Sequence, residues 1–500
     1  MNKQIKIGSI IAYINIALNL VVNFMLAPFM LKHLGESEYG VYKIVQSFTG
    51  QLAIMSFGLA TVSARYVVVY NTQHKKMEKE NFLFMIYGVS IVLSLLVTLI
   101  GFVLYLLMDK IYANSLSPDE LIIAKRICLF LVLNVALSIL CDSFTGIIKA
   151  YEKFIISNLL STIRLIFRLT SIVILLSIGV KSIGIVLTDL SITTCILLFS
   201  VLYVRFVLKE KAHFYSFEKQ LVKEITTFAL AVFLQAIVNQ VNQNLDNTIL
   251  GIMTNTSVVT VYSTALTLYT CFISLVTVMG GMFGPKATKL VASGASGEEL
   301  TEFAVTPGRV QLIIALLGIV GFIICGKDFV FLWMGDGFDA VYPITLILII
   351  PVTFSLVESI TNTILDAMLK RMARSIILVG MCVINIAVSI VLIKILGYIG
   401  AAFGTAISLI AGHGVLINLY LHKKIGLNIP KLFRMVFKGI LPAFLICLAL
   451  GYIVTFIPGR SMIGLGIKGG LTVLIYSVIM FLVGMNEQEK QYIGHFFKRK

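Results

Sequence analysis

Apolar residues recur along this chain in runs of roughly 20, the length a helix needs to cross the hydrocarbon core of a bilayer. Fourteen such runs predict helices at about 10–31, 41–66, 82–107, 121–147, 155–178, 183–208, 224–250, 258–284, 306–326, 341–367, 373–396, 399–421, 433–457 and 463–485. The connections are about 20 residues at most, which leaves no room for a sizeable soluble domain. The pattern is that of an all-α polytopic membrane protein.

One run breaks the apolar rule. QAIVNQVNQNLDNTIL, residues 235–250, carries eight amides and carboxylates in about four helical turns. At roughly 100° per residue Gln235, Asn239, Asn242 and Asp246 share a face, and Gln240, Gln243, Asn244 and Asn247 widen it. Such groups are costly against lipid, so the polar half is expected to face protein or water. Interhelical hydrogen-bond glue needs only one or two of them, which favours a cavity wall. Stripes at i, i+4 spacing repeat the theme in Asn15, Asn19 and Asn23, in Asn134, Ser138 and Asp142, and in Glu358, Asn362 and Asp366.

The two halves of the chain echo each other. VYKIVQSFTG at Val41 shares its start with VYSTALTLYT at Val261, and SIVILLSIGVKSIGIV at Ser171 resembles SIVLIKILGYIGAAFG at Ser389. Corresponding helices lie six spans apart, so both halves have one orientation, the pattern of parallel repeats about an axis along the membrane normal. The expected organisation is a six-helix lobe at 1–208, a basic linker at 209–223, a second six-helix lobe at 224–425, and two appended helices with a basic tail at 426–500.

Composition and charge sharpen this picture. The chain is 58% apolar and 13% charged, with a net charge of +16. Of the 40 Lys and Arg residues, 28 fall in alternate connections and span ends and 10 in the other set, so the excess is topology signal and not a nucleic-acid footprint. Placing the 28 inside makes both termini cytoplasmic. The basic, then apolar N-terminus is expected to be a retained first span and not a cleaved signal. The segment 204–225 has the strongest basic bias, and reads either as an ordinary positive-inside loop or as an amphipathic linker on an anionic leaflet. The seven cysteines show no CxxC spacing, and neither a disulfide framework nor a metal site is expected.

Two arginines remain outside the sidedness pattern. Arg164 and Arg168 flank the middle of the fifth span and share a face with Ser157, Ser161 and Ser171. A mid-membrane Arg costs about 2.5–3.5 kcal/mol even on the gentlest scale, so the pair needs an anion, a wet cavity or a partner. Either it binds phosphate or carboxylate, or it forms a structural ion pair with Asp142 or Asp189, or it snorkels. Asp246, Glu358 and Asp366 are candidates for binding H⁺ or Na⁺ as coupling ion, or else they balance a cation.

LAPFMLKHLGESEYGVYKIVQSF from Leu26, LDNTILGIMTNTSVVTVYSTA from Leu245 and KDFVFLWMGDGFDAVYPITLILIIP from Lys327 resemble the polysaccharide transporter family. These are the O-antigen and capsule flippases of the multidrug/oligosaccharidyl-lipid/polysaccharide exporter superfamily. The resemblance implies two six-helix lobes around a cationic cavity. It further implies translocation of an undecaprenyl-diphosphate-linked oligosaccharide across the bacterial cytoplasmic membrane, driven by a H⁺ or Na⁺ gradient and alongside other surface-polysaccharide assembly proteins. From the polar stripes and intramembrane charges, Arg164, Arg168, Asn19, Asn23, Asn239 and Asn242 are expected to bind substrate and Asp246, Glu358 and Asp366 to couple the ion, and the resemblance adds that Asp246 looks like the acidic residue of the seventh span and that the Arg pair suits a cationic cavity. No cofactor is expected. The alternatives are a multidrug or cation antiporter of the same superfamily, a lipid II flippase, and, less well supported, a membrane-embedded polymerase, for which no acid–base set or catalytic loop stands out.

Overall fold

In the computed structural model, residues 3–56, 58–151, 153–216, 233, 237, 245–277, 283–368, 370–487 and 489–491 are described. Among them eleven helices are long and apolar enough to cross a membrane, or twelve if one bent pair counts as a span. The stretch Phe24–Thr72 takes in the end of the first expected span and the whole of the second, and most of the seventh lies outside the described residues. The chain divides into two compact units, Met1–Ser263 and Thr264–Lys500.

The first unit begins with α1 (Lys3–Leu52), too long at 50 residues for one crossing. It is broken at Gly35, whose φ of 79° and ψ of 167° lie in a region open to glycine alone. A 3₁₀ turn and Gly58 lead into α2 (Leu59–Thr72). There follow α3 (Lys76–Ile111), α4 (Pro118–Ala150), α5 (Phe154–Ser177) and α6 (Ser182–Leu202). Helix α4 starts with a capping box, Ser117 with Glu120, which satisfies two orphan backbone donors. Glu120 also accepts from Ser37 and, at 2.9 Å, from Thr256 at the head of α7 (Thr256–Thr277). Buried Glu38 accepts from the Ser182 N–H at 2.9 Å, capping α6 where the helix dipole favours a carboxylate.

The second unit contains α8 (Gly284–Ala292), α9 (Gly297–Met334), α10 (Val341–Val357), α11 (Ser359–Ala367), α12 (Arg371–Leu396) and α13 (Ile399–Leu409). The tenth expected span is thus two helices, bent by 43° at Glu358, and α13 runs on through π-helical turns to Ile425. The matched stretches at Ser171 and Ser389 adopt one shape: α5–α6 and α12–α13 are helical hairpins turning at Gly179 (φ 85°) and Gly397 (φ 65°). Helices α14 (Ile429–Phe437), α15 (Ile440–Val454) and α16 (Met462–Ile479) close the chain. Buried Arg309 on α9 holds them in place. It donates to the carbonyls of Met435, Val436 and Lys438 at the end of α14 and of Gly484, and pairs with Glu489 at 2.6 Å. Those carbonyls are the acceptors a helix end leaves unsatisfied. Lys468 on α16 pairs with Asp328 of α9 at 2.6 Å.

Candidate functional site

The α5–α6 hairpin sets two rungs of an antiparallel ladder. Arg164 Nη2 donates to Thr193 Oγ1 at 3.2 Å, and one turn along Arg168 pairs with Asp189 through Nε at 2.7 Å and Nη2 at 3.3 Å. Four-residue steps on each helix, run in opposite directions from the turn at Gly179, bring these residues opposite each other. The rungs differ in kind. Arg168 is closed off, since it also donates to the Tyr42 hydroxyl at 3.3 Å, and its carboxylate partner is Asp189. Lys43, on the same helix as Tyr42, lies 5.3 Å from the centre of the Tyr39 ring.

Arg164 is open. It is exposed and forms part of the wall of a cavity of about 170 Å³ between α4, α5 and α6. Ser138, Asp142, Thr145 and Lys149 of α4, Ser157 and Ser161 of α5 and Thr193 of α6 face the same space. The fields of Lys149 and Arg164 both act on the half-buried Asp142 carboxylate. Two cations against one carboxylate, ringed by hydroxyls, can hold an anion with hydrogen-bonding substituents. On its other side Arg164 borders a groove of about 640 Å³ between α5 and α6, walled by apolar side chains such as Ile163, Phe167, Ile174 and Leu187. Arg164 and Ile196 belong to both spaces.

The other candidates fall elsewhere. Asp246 is buried and accepts from the Tyr262 hydroxyl at 2.7 Å, and it is not among the residues around the Arg164 cavity. Asn19 is exposed on α1. Asn239 and Asn242 lie outside the described residues, as do the side chains of Asn23 and Asp366.

Glu358 forms a second polar centre, in the second unit. Only 1% exposed, it sits at the α10–α11 bend and receives the Asn418 amide, while His413 Nδ1 is 3.9 Å from its other oxygen. His413 Nε2 is 3.3 Å from Ser355 Oγ, and Asn418 also donates to the His413 carbonyl at 2.9 Å. His413 lies in the π-helical segment Ile410–Ile417, a geometry often found at functional sites. Sequence reasoning passed over His413, Asn418 and Thr193. The available signal was ISLIAGHGVLINLY, a histidine between two glycines in an otherwise apolar run.

The profile of the family described as polysaccharide biosynthesis protein matches residues 4–285. Among solved structures, the chain is similar to a lipid II flippase MurJ in an inward closed conformation, at 17% identity and TM-score 0.74, over 95% of this chain and 98% of that one. It is also similar to an inward-facing multidrug resistance MATE family transporter of the MOP superfamily (14% identity, TM-score 0.60, 84% and 96% covered). The MATE multidrug transporter DinF-BH shares the fold as well (13% identity, TM-score 0.61, 87% and 97% covered). Comparison with curated proteins returns no significant sequence match.

Proposed function

Since the chain belongs to the polysaccharide biosynthesis protein family and has the fold of flippases and multidrug transporters, we propose that it translocates an undecaprenyl-diphosphate-linked oligosaccharide across the cytoplasmic membrane. The observation that carries this reading is the double membership of Arg164, which stands between a polar, cation-rich cavity and an apolar groove. An amphiphile with a charged joint between sugar and hydrocarbon needs that juxtaposition. In this reading the diphosphate meets Arg164 and Lys149, the first sugar meets the hydroxyls, and the prenyl chain follows the groove into lipid. A 170 Å³ cavity is little larger than the ~150 Å³ that accommodates one benzene, enough for the phosphates and a sugar edge but not a whole glycan. Most of the oligosaccharide therefore extends beyond it.

A multidrug or cation antiporter is the less favoured reading, because a cationic ligand would meet two like charges here. A lipid II flippase differs only beyond the diphosphate, where this cavity makes no distinction. The Glu358–His413–Asn418 centre supports coupling to H⁺ or Na⁺, with Asp246 as a further carboxylate of that kind.

The test is site protection. In a chain with Cys141 and Cys195 replaced by alanine, Ser161→Cys is expected to react with a polar maleimide, and undecaprenyl-diphosphate oligosaccharide to slow the labelling at least tenfold. Uncharged undecaprenol should leave the rate unchanged. Equal protection by both lipids would remove the diphosphate from the account.

A further inference from the structure

The geometry points to a second anion site in the first unit, away from Arg164, that takes the phosphate of an anionic membrane lipid headgroup. Helix α6 does not end cleanly. It winds into a π-helical turn, Tyr203–Val207, and the chain then passes through Lys209 at φ 55°, a left-handed conformation uncommon for a residue with a side chain. From there to Ser216 the segment is strapped to the start of α3. The His213 N–H donates to the Glu80 carbonyl at 3.1 Å, the Tyr215 N–H to Asn81 Oδ1 at 3.1 Å, and Asn81 Nδ2 to the Ser216 carbonyl at 2.8 Å. A backbone held this firmly in an unusual conformation is the kind found at ligand clamps.

The strap and the end of α6 frame a cavity of about 760 Å³. Arg205, Lys209 and Lys211 face it, and its floor is Tyr87 stacked on Phe144 with ring centres 4.6 Å apart. The carboxylate in its wall, Glu210, is engaged through Oε1, which pairs with Lys79 at 2.7 Å and accepts from the Tyr151 hydroxyl. Burial and this carboxylate raise the Tyr151 pKa, which keeps the phenol a donor. Among the described residues Arg205, Lys209 and Lys211 form no ion pair, so three cations converge on open space.

The neighbouring side chains give the ligand its class. Phe206 and Val207, at the end of a membrane-spanning helix, are 66% and 59% exposed. An apolar shoulder beside a ring of cations marks the boundary between acyl chains and headgroups. A free anion would gain nothing from the shoulder, whereas a phosphoglyceride fills both halves. The site shares no residue with the Arg164 cavity and stands independently of the transported substrate.

The experiment uses the full chain in detergent with dioleoylphosphatidylglycerol, read by native mass spectrometry. One lipid is expected to bind saturably, dioleoylphosphatidylcholine at least tenfold more weakly, and millimolar inorganic phosphate not to displace it. Arg205→Gln/Lys209→Gln/Lys211→Gln should weaken phosphatidylglycerol about 100-fold, on the usual contribution of a cation near an anionic surface. The single exposed change Lys211→Gln, which leaves the strap intact, should weaken it about fivefold. Lys423→Gln/Lys424→Gln, which removes two exposed cations of the second unit, should leave affinity within twofold. Equal loss in that control, no loss in the triple or single variant, or displacement by inorganic phosphate would each overturn the assignment.

Discussion

Truncating Arg168 to alanine takes away the cationic partner of the Asp189 carboxylate, which is 12% exposed, and with it a donor to the buried Tyr42 hydroxyl. Removing one member of a buried pair costs about 3–5 kcal/mol, because the other charge stays behind uncompensated. The Arg168 side chain is 23% exposed, so the lower end, about 3 kcal/mol, is expected. Replacing both partners, as Arg168→Met/Asp189→Leu, leaves no orphan charge and should return stability to within about 1 kcal/mol of the parent. Arg164→Ala is different in kind. It loses one hydrogen bond to Thr193, worth about 0.6 kcal/mol inside a membrane, and relieves an exposed charge. Its cost should appear in transport: a hydrogen bond to a charged group is worth about 1.5–3 kcal/mol, which is roughly a 10- to 150-fold loss. The assay is a double-mutant cycle read by fluorescence-detected size exclusion after a denaturant series, run beside a flux measurement on the same preparations. A stable Arg168→Ala that no longer transports, or an Arg164→Ala that no longer folds, would reverse the two roles and refute the reasoning.

Glu358→Gln keeps an oxygen for the Asn418 amide, so it should fold normally while its transport stops responding to an imposed ion gradient; Glu358→Leu should cost a further 1–3 kcal/mol or so by stranding Asn418 and His413. Unchanged gradient dependence in Glu358→Gln would remove this centre from coupling. Arg309→Ala should destabilise the protein by about 3–5 kcal/mol and loosen its last two spans, seen as faster proteolysis after Phe437, whereas Arg309→Lys should recover only part because an ammonium cannot reach Glu489 and four carbonyls together.

Most spans were legible because lipid imposes one rule, a long apolar run, and the rule needs no knowledge of neighbours. Their breaks were less so. Nothing about VESI marks the bend at Glu358, since the nearest proline, Pro351, lies two turns earlier, and the π-helical turn at 203–207 leaves no compositional trace. The site shows the same division. The shared face of Ser157, Ser161 and Arg164 follows from helical periodicity on one element, as does that of Ser138 and Asp142, and both faces line one cavity. Which arginine is held in an ion pair depends on what a second element presents. Asp189 and Thr193 decide it, and they become readable only once the hairpin about Gly179 sets which residues stand opposite. Periodicity puts Asp246 on the polar side of its sequence run, yet the Tyr262 hydroxyl that it accepts from comes from the following helix, and periodicity alone cannot supply that contact.

The central claim is that Arg164 reads the charged joint of a lipid-linked sugar, and its most direct test is movement of a fluorescent undecaprenyl-diphosphate oligosaccharide between the leaflets of proteoliposomes. The account predicts movement with the parent chain under a H⁺ or a Na⁺ gradient, and at least a tenfold slower rate in a folded Arg164→Ala. An equal rate in the variant, or no movement of any glycan tested under either gradient, would contradict it.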